Sequence, residues 1–421
     1  MIKDIKARKI LDSRGNHTVE VKLETDNGFF VASCPSGAST GKNEAVALPA
    51  EKAIENINKI IVPQLLGKDE TNQEEVDNLM IELDGTENKS KLGANAILAV
   101  SMAICRAGST TNGLPLYCYI SQLSENIQYK GGISHCSCNR RCSPDIDCKL
   151  PSPCFNIING GVHGRNNLEI QEFMIIPQGE SFEKNLEIGK VVYKKLKIIL
   201  KNKFGERGIV IADEGGFSPP IFNDIEALDF VVEAIGDYNV KIGLDCAASQ
   251  FFFDGKYKID NKLFDRNGLI EFYGNIVGKY PIISIEDPFA EDDCGGFKLM
   301  MKNFGDKIII VGDDFLTTNI ERIKKAKEAG ACNGAIIKPN QIGTISETIE
   351  AGRLIKSFGW KAVISHRSGE TMDDFIADLA VGFGAYFIKS GAPAKKERMV
   401  KYNRLVEIDR EIQLINKNEN Y

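Results

Sequence analysis

Short apolar runs that end in a charged or polar residue recur along the C-terminal two-thirds of the chain, and one of these predicted strands ends at Asp213 and Glu214. Stretches with helical character separate these runs. The predicted helices in this part of the chain are 182–204, 225–235, 320–330 and 345–358. Strands that alternate with helices in this way are typical of an α/β barrel rather than of an all-α or all-β fold.

The first third of the chain has a different pattern. Residues 1–33 alternate apolar and polar side chains as strands do, and a hairpin turn is predicted at Asp26, Asn27 and Gly28. The elements predicted after it are a small-residue loop at 35–41, a mostly helical stretch at 45–80 and a buried helix at 94–106. The first third of the chain therefore lacks the strand and helix alternation of the barrel and precedes it in the sequence.

Length and composition narrow the class of protein. A chain of 421 residues is too long for one ordinary core but suits a barrel with a smaller domain. The formal net charge of −6 argues against nucleic acid as the main partner, because phosphate-binding surfaces are usually basic. The most apolar window, 94–105, is too short to span a membrane. With no signal-peptide core at the N-terminus, we predict a cytoplasmic protein.

The eleven cysteines divide into a cluster and six scattered residues. The scattered ones are predicted to be isolated buried thiols, namely Cys34, Cys105, Cys118, Cys246, Cys294 and Cys332. The clustered ones are Cys136, Cys138, Cys142, Cys148 and Cys154. With His135 the cluster could bind zinc, but its spacing fits no standard finger. A surface insertion is the favoured interpretation, and a structural metal or redox role is the alternative.

Three acids end predicted strands at separated places in the sequence, namely Asp245, Glu286 and Asp313. In a parallel barrel the C-terminal ends of all strands open on one face, where active sites lie. Any one of these acids alone could cap a helix or pair with a surface base. Three in the same structural position favour a hard divalent cation such as Mg²⁺, which takes carboxylate oxygens.

Two lysines occupy the same position after apolar runs, Lys338 and Lys389. A lysine beside cations loses some preference for its charged form and can act as a base, although an ion pair with the acids is equally open. Glu214 lies in a turn and is either a general acid or an ordinary turn residue. Glu172 begins an apolar run and is ambiguous by itself.

The chain has only four histidines, and two of them lie in distinctive contexts. His163 is part of a glycine-rich loop. His366 follows an apolar run and precedes Arg367 and Ser368, which are suited to gripping a phosphate. Together with the acids and lysines, these residues indicate a metal-assisted reaction on an anionic substrate.

Taken in order, the motifs resemble those of the enolase family over nearly the whole chain. The matching segments are ARKILDSRGN, PSGASTG, NIINGGVH, QEFMIIP, ADEGGFSP, KIGLDCAAS, SIEDPFAEDD, KPNQIGT, SHRSGET and IKSGAP. The resemblance implies an α/β protein with an N-terminal α+β domain and a C-terminal (β/α)8 TIM barrel whose start is irregular, with an extra antiparallel strand. The implied division is 1–130 with the mobile PSGASTG loop, a Cys-rich linker at 131–151, and the barrel at 152–421.

The resemblance also implies a reaction, namely the reversible dehydration of 2-phosphoglycerate to phosphoenolpyruvate in glycolysis and gluconeogenesis. It implies two Mg²⁺ ions per site. The first would be held by Asp245, Glu286 and Asp313, and the second would reach Ser39 when substrate is present. These assignments follow from matching motifs and not from spacing or periodicity.

Further roles come from the same matching. Lys338 corresponds to the base at carbon 2, and Glu214 to the acid for the leaving hydroxyl, assisted by Glu172. Substrate contacts are implied for Glu286, Asp313 and Lys338 as well. The residues implied to hold or close over the phosphate and carboxylate are His163, His366, Arg367, Ser368 and Lys389, with His366 also a candidate catalytic residue.

Enolases are typically homodimers, and this chain differs from the family pattern at a position expected to lie in the dimer interface. Glu20 would face Glu407, where the family usually has an arginine, and two like charges at close range repel. We therefore predict a weakened homodimer, still supported by a pair resembling Arg8 with Glu397. No obligate nucleic acid partner and no membrane insertion are expected.

Two other functions remain open. One is another member of the wider superfamily that acts on acid sugars or muconate-type substrates, although those barrels lack the PSGASTG and SHRSGET motifs. The other is a binding protein on an enolase scaffold with little activity. Arg165, after His163, and Pro49, after the small-residue loop, depart from the family pattern in segments that close on substrate, and they leave the turnover rate open.

Overall fold

The structure is a computed structural model that describes residues 1–37, 41, 43–125, 150–164 and 166–418. Three of the sequence-based predictions lie outside the described residues. They concern Ser39, the cysteines at 136–148, and Arg165.

The chain begins with a three-stranded antiparallel sheet in the order β1-β2-β3. Its strands are β1 (Ile2–Leu11), β2 (His17–Thr25) and β3 (Gly28–Ser33). Val19, Val21 and Leu23 are fully buried on one face, as the alternating pattern predicts. The predicted hairpin turn is confirmed, and Gly28 has a φ of 125°, a conformation that side-chain-bearing residues rarely adopt.

Five helices follow the sheet. They are α1 (Ala50–Asn56), α2 (Val62–Leu65), α3 (Gln73–Asp84), α4 (Ala94–Thr111) and α5 (Leu116–Glu125). A π-helical turn, Ile57–Ile61, joins α1 to α2. The prediction of helix over 45–80 is only partly right, because helical structure begins after Pro49 and stops at Leu66, whose ψ is 130°. The predicted buried helix is α4, which packs against β2 and β3.

The remaining strands form a closed barrel and a small hairpin sheet. In chain order they are β4 (Ser152–Asn159), β5 (Glu172–Pro177), β6 (Val240–Asp245), β7 (Phe252–Phe253), β8 (Lys256–Ile259), β9 (Lys262–Phe264), β10 (Ile282–Glu286), β11 (Ile309–Gly312), β12 (Gly334–Ile337), β13 (Lys361–Ser365) and β14 (Phe387–Lys389). The barrel closes in the order β10-β11-β12-β13-β14-β4-β5-β6, and β7, β8 and β9 make the separate sheet. An α/β barrel is therefore confirmed.

The start of the barrel is irregular, as the resemblance implies. Strand β5 runs antiparallel to both β4 and β6, whereas the other neighbouring pairs are parallel. Because of this reversal, the first residue of β5 lies at the face where the other strands end. Glu172 is accordingly the register partner of Asp245, the last residue of β6.

The helices of this part surround the barrel. They are α6 (Phe182–Phe204), α7 (Asp224–Ile235), α8 (Arg266–Lys279), α9 (Cys294–Phe304), α10 (Ile320–Ala329), α11 (Pro339–Ile342), α12 (Ile345–Ser357), α13 (Phe375–Gly382) and α14 (Lys396–Asn418). The four predicted helices are confirmed to within one residue at each end. Ser181, Asn223 and Thr344 cap α6, α7 and α12 by accepting backbone N–H bonds, which fixes where these helices begin.

Three expectations need correction. The apolar run before Asp213 and Glu214 is not a barrel strand, because Ile211 makes only an isolated bridge to Phe217 within a loop. Cys154 is buried in β4 and so does not fit the predicted surface insertion, and Cys294, predicted to be buried, is only partly buried at the start of α9. Of the helices within the described ranges, none is both long and apolar enough to cross a bilayer.

Candidate active site

Charged residues gather at one face of the barrel, where most strands end. Those that end a strand or directly follow one are Asp245, Glu286, Asp313, Lys338, His366 and Lys389. Glu172 joins them because β5 runs in the opposite direction. The structure therefore brings together the strand-end residues that the sequence pattern singles out.

The three acids at the ends of adjacent strands β6, β10 and β11 form a tight group. Ligand atoms of Asp245, Glu286 and Asp313 all lie within 4.8 Å of one another, and the three side chains are buried. Burial and the charge of Asp245 raise the pKa of Glu286 well above its usual value. A buried all-carboxylate set of this kind fits a hard divalent cation such as Mg²⁺.

Lys389 reaches this acid group from the other side of the barrel. Its Nζ lies 2.9 Å from Asp245 Oδ2, 2.8 Å from Glu286 Oε1 and 3.1 Å from Glu172 Oε2. Burial alone would lower the pKa of Lys389, but the surrounding carboxylates outweigh it and raise that pKa well above its usual value. The lysine is therefore a fixed positive charge among the acids.

Lys338 is held by a separate partner. Its Nζ donates a short hydrogen bond to Asp313 Oδ2, and its backbone N–H donates to Thr318 Oγ1 at 3.0 Å. Burial disfavours the ammonium, but the charge of Asp313 outweighs this and raises the pKa of Lys338. A cation that drew charge away from Asp313 would lower the pKa of Lys338 and favour the neutral amine.

A histidine lies between two carboxyl groups beside the acid group. His163 Nδ1 is 3.7 Å from Glu172 Oε1 and 3.5 Å from Glu214 Oε1. Burial disfavours the imidazolium, but Glu214 and Glu172 raise the pKa of His163 to about 9. Burial and the charge of Glu214 raise the pKa of Glu172 to about 7. This trio can therefore hold a transferable proton near neutral pH.

His366, unlike His163, is held in its neutral form. Arg398 Nη1 lies 2.6 Å from its Nδ1, and because an arginine always donates, Nδ1 accepts and the proton resides on Nε2. Burial and Arg398 lower the pKa of His366 well below its usual value, against the attraction of Glu214. His366 Nε2 lies 3.6 Å from Glu214 Oε1, so a neutral imidazole faces that carboxyl group.

The pocket between these groups is lined almost entirely by polar and charged side chains. Two family models match the chain, the enolase N-terminal domain over residues 2–120 and the enolase C-terminal TIM barrel domain over residues 147–419. The chain belongs to the enolase family. Enolase is phosphopyruvate hydratase, a lyase, so the predicted family, barrel and enzyme class are confirmed.

Enolases from distant organisms resemble this family member over nearly their full lengths. The enolase of Mastigamoeba balamuthi is 46% identical, with 98% of this chain and 96% of the relative covered. That of Thermococcus gammatolerans is 45% identical, covering 97% and 94%. That of Methanocaldococcus jannaschii is 44% identical, covering 98% and 96%.

In this enolase-family site, two residues that sequence reasoning missed hold the segment of Arg367 and Ser368 in place. Arg398 is fully buried and donates to the carbonyl oxygens of Arg367 at 2.7 Å and Ser368 at 2.6 Å. Glu44 Oε2 lies 2.9 Å from Arg367 Nη1. Neither residue follows an apolar strand run, because Arg398 comes from α14 and Glu44 from the loop before α1, so the strand-end pattern does not find them.

The segment before Ser39 is tied to the same region. Ser36 and Gly369 exchange backbone hydrogen bonds of 2.8 and 2.9 Å, and Ser36 Oγ donates to Asp12 Oδ2. The start of the PSGASTG loop is therefore joined to the turn that follows Ser368.

Proposed function

We propose that the protein catalyses the reversible dehydration of 2-phosphoglycerate to phosphoenolpyruvate. The observation that carries this proposal is the placement of Lys338 and Glu172. Their strands, β12 and β5, are four positions apart in a ring of eight and so lie on opposite sides of the barrel. A base that takes a proton from carbon 2 and an acid group that serves the hydroxyl on carbon 3 need to approach the substrate from different sides.

The proton at carbon 2 is very weakly acidic, because its removal adds charge beside a carboxylate. Lys338 would take this proton on Nζ as a neutral amine. Asp245, Glu286 and Asp313 would hold Mg²⁺, which when bound supplies positive charge that stabilises the developing anion. Lys389, already among these acids, adds a second positive group at the same place.

The leaving hydroxyl needs a proton at the other side. Glu214, with Glu172 and His163, is the group proposed to supply it. Burial disfavours the charge of Glu214, but His366 and His163 outweigh it and keep the pKa of Glu214 well below its usual value. The proton of this trio therefore resides on His163 or on Glu172, whose pKa of about 7 suits proton transfer near neutral pH. His366, Arg367 and Ser368 line the pocket and would bind the phosphate or carboxylate. Ser39 would reach a second Mg²⁺ with substrate present.

The direct test follows the ultraviolet absorbance of phosphoenolpyruvate after 2-phosphoglycerate and Mg²⁺ are added. We expect turnover in the wild type that disappears with a chelator and in Lys338→Ala. The matched control is Lys325→Ala, which removes an exposed lysine from α10 and should leave turnover unchanged. Absence of turnover in a folded, Mg²⁺-binding wild type would reject the proposal and favour the binding-protein alternative.

Other proposals concern the chain as a whole. We propose domains at 1–130 and 152–421 joined by a linker at 131–151, which is supported by the ranges that the two family models match. A homodimer in the cytoplasm, acting in glycolysis and gluconeogenesis, is proposed from membership of the family.

A further inference from the structure

A second group of acids lies apart from the residues that line the catalytic pocket. Glu169 precedes β5, Asp224 is the first residue of α7, and Asp260 lies in the turn between β8 and β9. Ligand atoms of these three side chains all lie within 4.8 Å of one another. The group joins three elements that are distant in sequence.

Asp224 has an oxygen available for a ligand. Its side chain is fully buried, and Oδ1 accepts the backbone N–H of Ile170 at 3.2 Å. Among the buried polar atoms of the described residues, Asp224 Oδ2 has no hydrogen-bond partner. A buried carboxylate oxygen without a partner costs folding free energy unless something positive or hydrogen-bonding reaches it.

The other two acids are fixed by the backbone. Asp260 Oδ1 accepts from the backbone N–H of Asp224 at 3.0 Å, and Glu169 Oε2 accepts from that of Asp260 at 3.2 Å. These bonds hold the carboxyl groups close together but do not neutralise three negative charges. Within the part of the chain that the structure describes, no lysine or arginine forms an ion pair with any of the three.

The pKa values of the three acids are raised, as expected for carboxyl groups that have no positive partner among the described residues. Burial and the charge of Asp260 raise the pKa of Asp224 well above its usual value, and burial also raises the pKa values of Glu169 and Asp260. The charge of Lys258 lowers the pKa of Glu169 and that of Lys262 lowers the pKa of Asp260, but burial outweighs both effects. A cation among the three carboxyl groups would favour their charged forms and so oppose these pKa shifts.

We propose that Glu169, Asp224 and Asp260 form a binding site for one divalent cation of the Ca²⁺ type, separate from the catalytic centre. The ligand atoms of the three side chains all lie within 4.8 Å of one another, close enough for a single cation to contact all three. Glu169 and Asp260 are partly exposed, so water can complete the coordination. Ca²⁺ suits this arrangement better than Mg²⁺, because it tolerates irregular geometry and a variable ligand number.

Such an ion would brace the loop that carries His163. Glu169 lies between that loop and Glu172, the first residue of β5, so its attachment to α7 and to the β8–β9 turn fixes the loop's downstream end. The site would therefore stabilise the fold, and its existence does not depend on the proposed activity.

The substitutions Asp260→Asn and Asp224→Asn test the site with little disturbance. In each, the side-chain oxygen can still accept its backbone N–H bond while the charge is lost. Asp260 has a φ of 50°, which asparagine tolerates well. Asp260→Asn therefore tests the cation site even if Asp224→Asn does not fold. Glu233→Gln, which removes an exposed acid from α7, is the matched control.

The experiment counts Ca²⁺ ions bound per chain by equilibrium dialysis with radioactive calcium. The catalytic acids contribute equally in every protein, so we expect Asp260→Asn and Asp224→Asn to bind one ion fewer than the wild type. Glu233→Gln should match the wild type. Ca²⁺ should also raise the melting temperature of the wild type more than that of Asp260→Asn. Equal ion counts in the wild type and Asp260→Asn, or an equal loss in Glu233→Gln, would overturn the proposal.

Discussion

Lys389 Nζ lies 2.8 Å from Glu286 Oε1 although their strands, β14 and β10, stand on opposite sides of the barrel. The lysine side chain therefore spans the pocket and places its charge among carboxylates that would otherwise repel one another. A buried charge left without its partner is strongly unfavourable, because the low-polarity interior cannot solvate it.

Replacement of Lys389 should destabilise the fold, because the buried carboxylates then lose their positive partner. In Lys389→Met without divalent cations, we expect the free energy of unfolding to fall by about 3–5 kcal/mol. Mg²⁺ should restore more stability to the variant than it adds to the wild type, because it can occupy the space among the acids. Urea denaturation with and without Mg²⁺ measures both effects. A variant as stable as the wild type in chelator would contradict this account of the pocket.

Mutation should separate proton removal at carbon 2, assigned to Lys338, from proton donation to the leaving hydroxyl, assigned to Glu214. Glu214→Gln keeps a side-chain oxygen for Asn156 Nδ2, which donates to Glu214 Oε2 at 2.9 Å, but it has no proton of comparable acidity to transfer. We expect turnover to fall by about 10²–10⁴-fold, the range for loss of a general acid. Exchange of the carbon 2 hydrogen with deuterated water should persist, because Lys338 is untouched.

Nuclear magnetic resonance of 2-phosphoglycerate in deuterated water measures this exchange. Lys338→Ala is the complementary variant and should lose both exchange and turnover. If Glu214→Gln also loses exchange while remaining folded, the two residues do not act in separable steps.

An ion pair between the N-terminal part and the barrel should make stability depend on acid pH. Arg106 Nη1 and Nη2 lie 2.8 and 2.9 Å from the two carboxylate oxygens of Asp373. Burial disfavours the charge of Asp373, but Arg106 outweighs it and lowers the pKa of that carboxyl group. A folded pKa below the unfolded one means that this stabilisation is present above the unfolded pKa and lost as pH falls through the folded one.

The comparison of wild type with Asp373→Asn isolates this contribution. We expect the variant to be less stable by about 3 kcal/mol above about pH 5, as for removal of one partner of a buried pair. The difference should shrink steadily below about pH 4, where the wild-type carboxyl group takes up its proton. Denaturation curves from pH 7 to pH 2.5 measure it, and a difference that does not change with pH would refute the ion-pair explanation.

The predicted weak dimer depends on Glu20 and Glu407. Arg8 Nη2 is 2.5 Å from Glu20 Oε1 within one chain, and Arg404 Nη1 is 3.4 Å from Glu407 Oε2. These internal pairs reduce the repulsion between the two acids. They also engage Arg8, the residue predicted to pair with Glu397 across the dimer interface.

Glu407→Arg should strengthen the dimer by turning a repulsive contact into an attractive one. We expect its dissociation constant to fall by about tenfold or more, since each 1.4 kcal/mol corresponds to a factor of ten. Sedimentation velocity from nanomolar to micromolar protein measures the change, with Glu233→Gln as a control for lost charge. A wild type that is fully dimeric at nanomolar concentration would contradict the weak-dimer prediction.

The sequence by itself determined the features that depend on neighbouring residues. Helix α6 is correctly predicted because its apolar face repeats along the chain and Ser181 caps its start. The position of Asp245 at the catalytic face is predictable because, in a parallel strand, the last residue always lies at the same end of the barrel. A short apolar run is less decisive: the run before Glu214 has the same pattern, yet in the structure it forms only an isolated bridge within a loop.

Only the tertiary structure decided the contacts that cross between elements. Arg398 lies on a helix, yet its guanidinium reaches the carbonyl oxygens of two residues that follow β13. Asp224 and Asp260 meet because the β8–β9 turn docks against the start of α7. Local propensity and periodicity report on residues that are close along the chain. How elements pack, and therefore which distant polar groups share a buried space, depends on the shape of the whole assembled core.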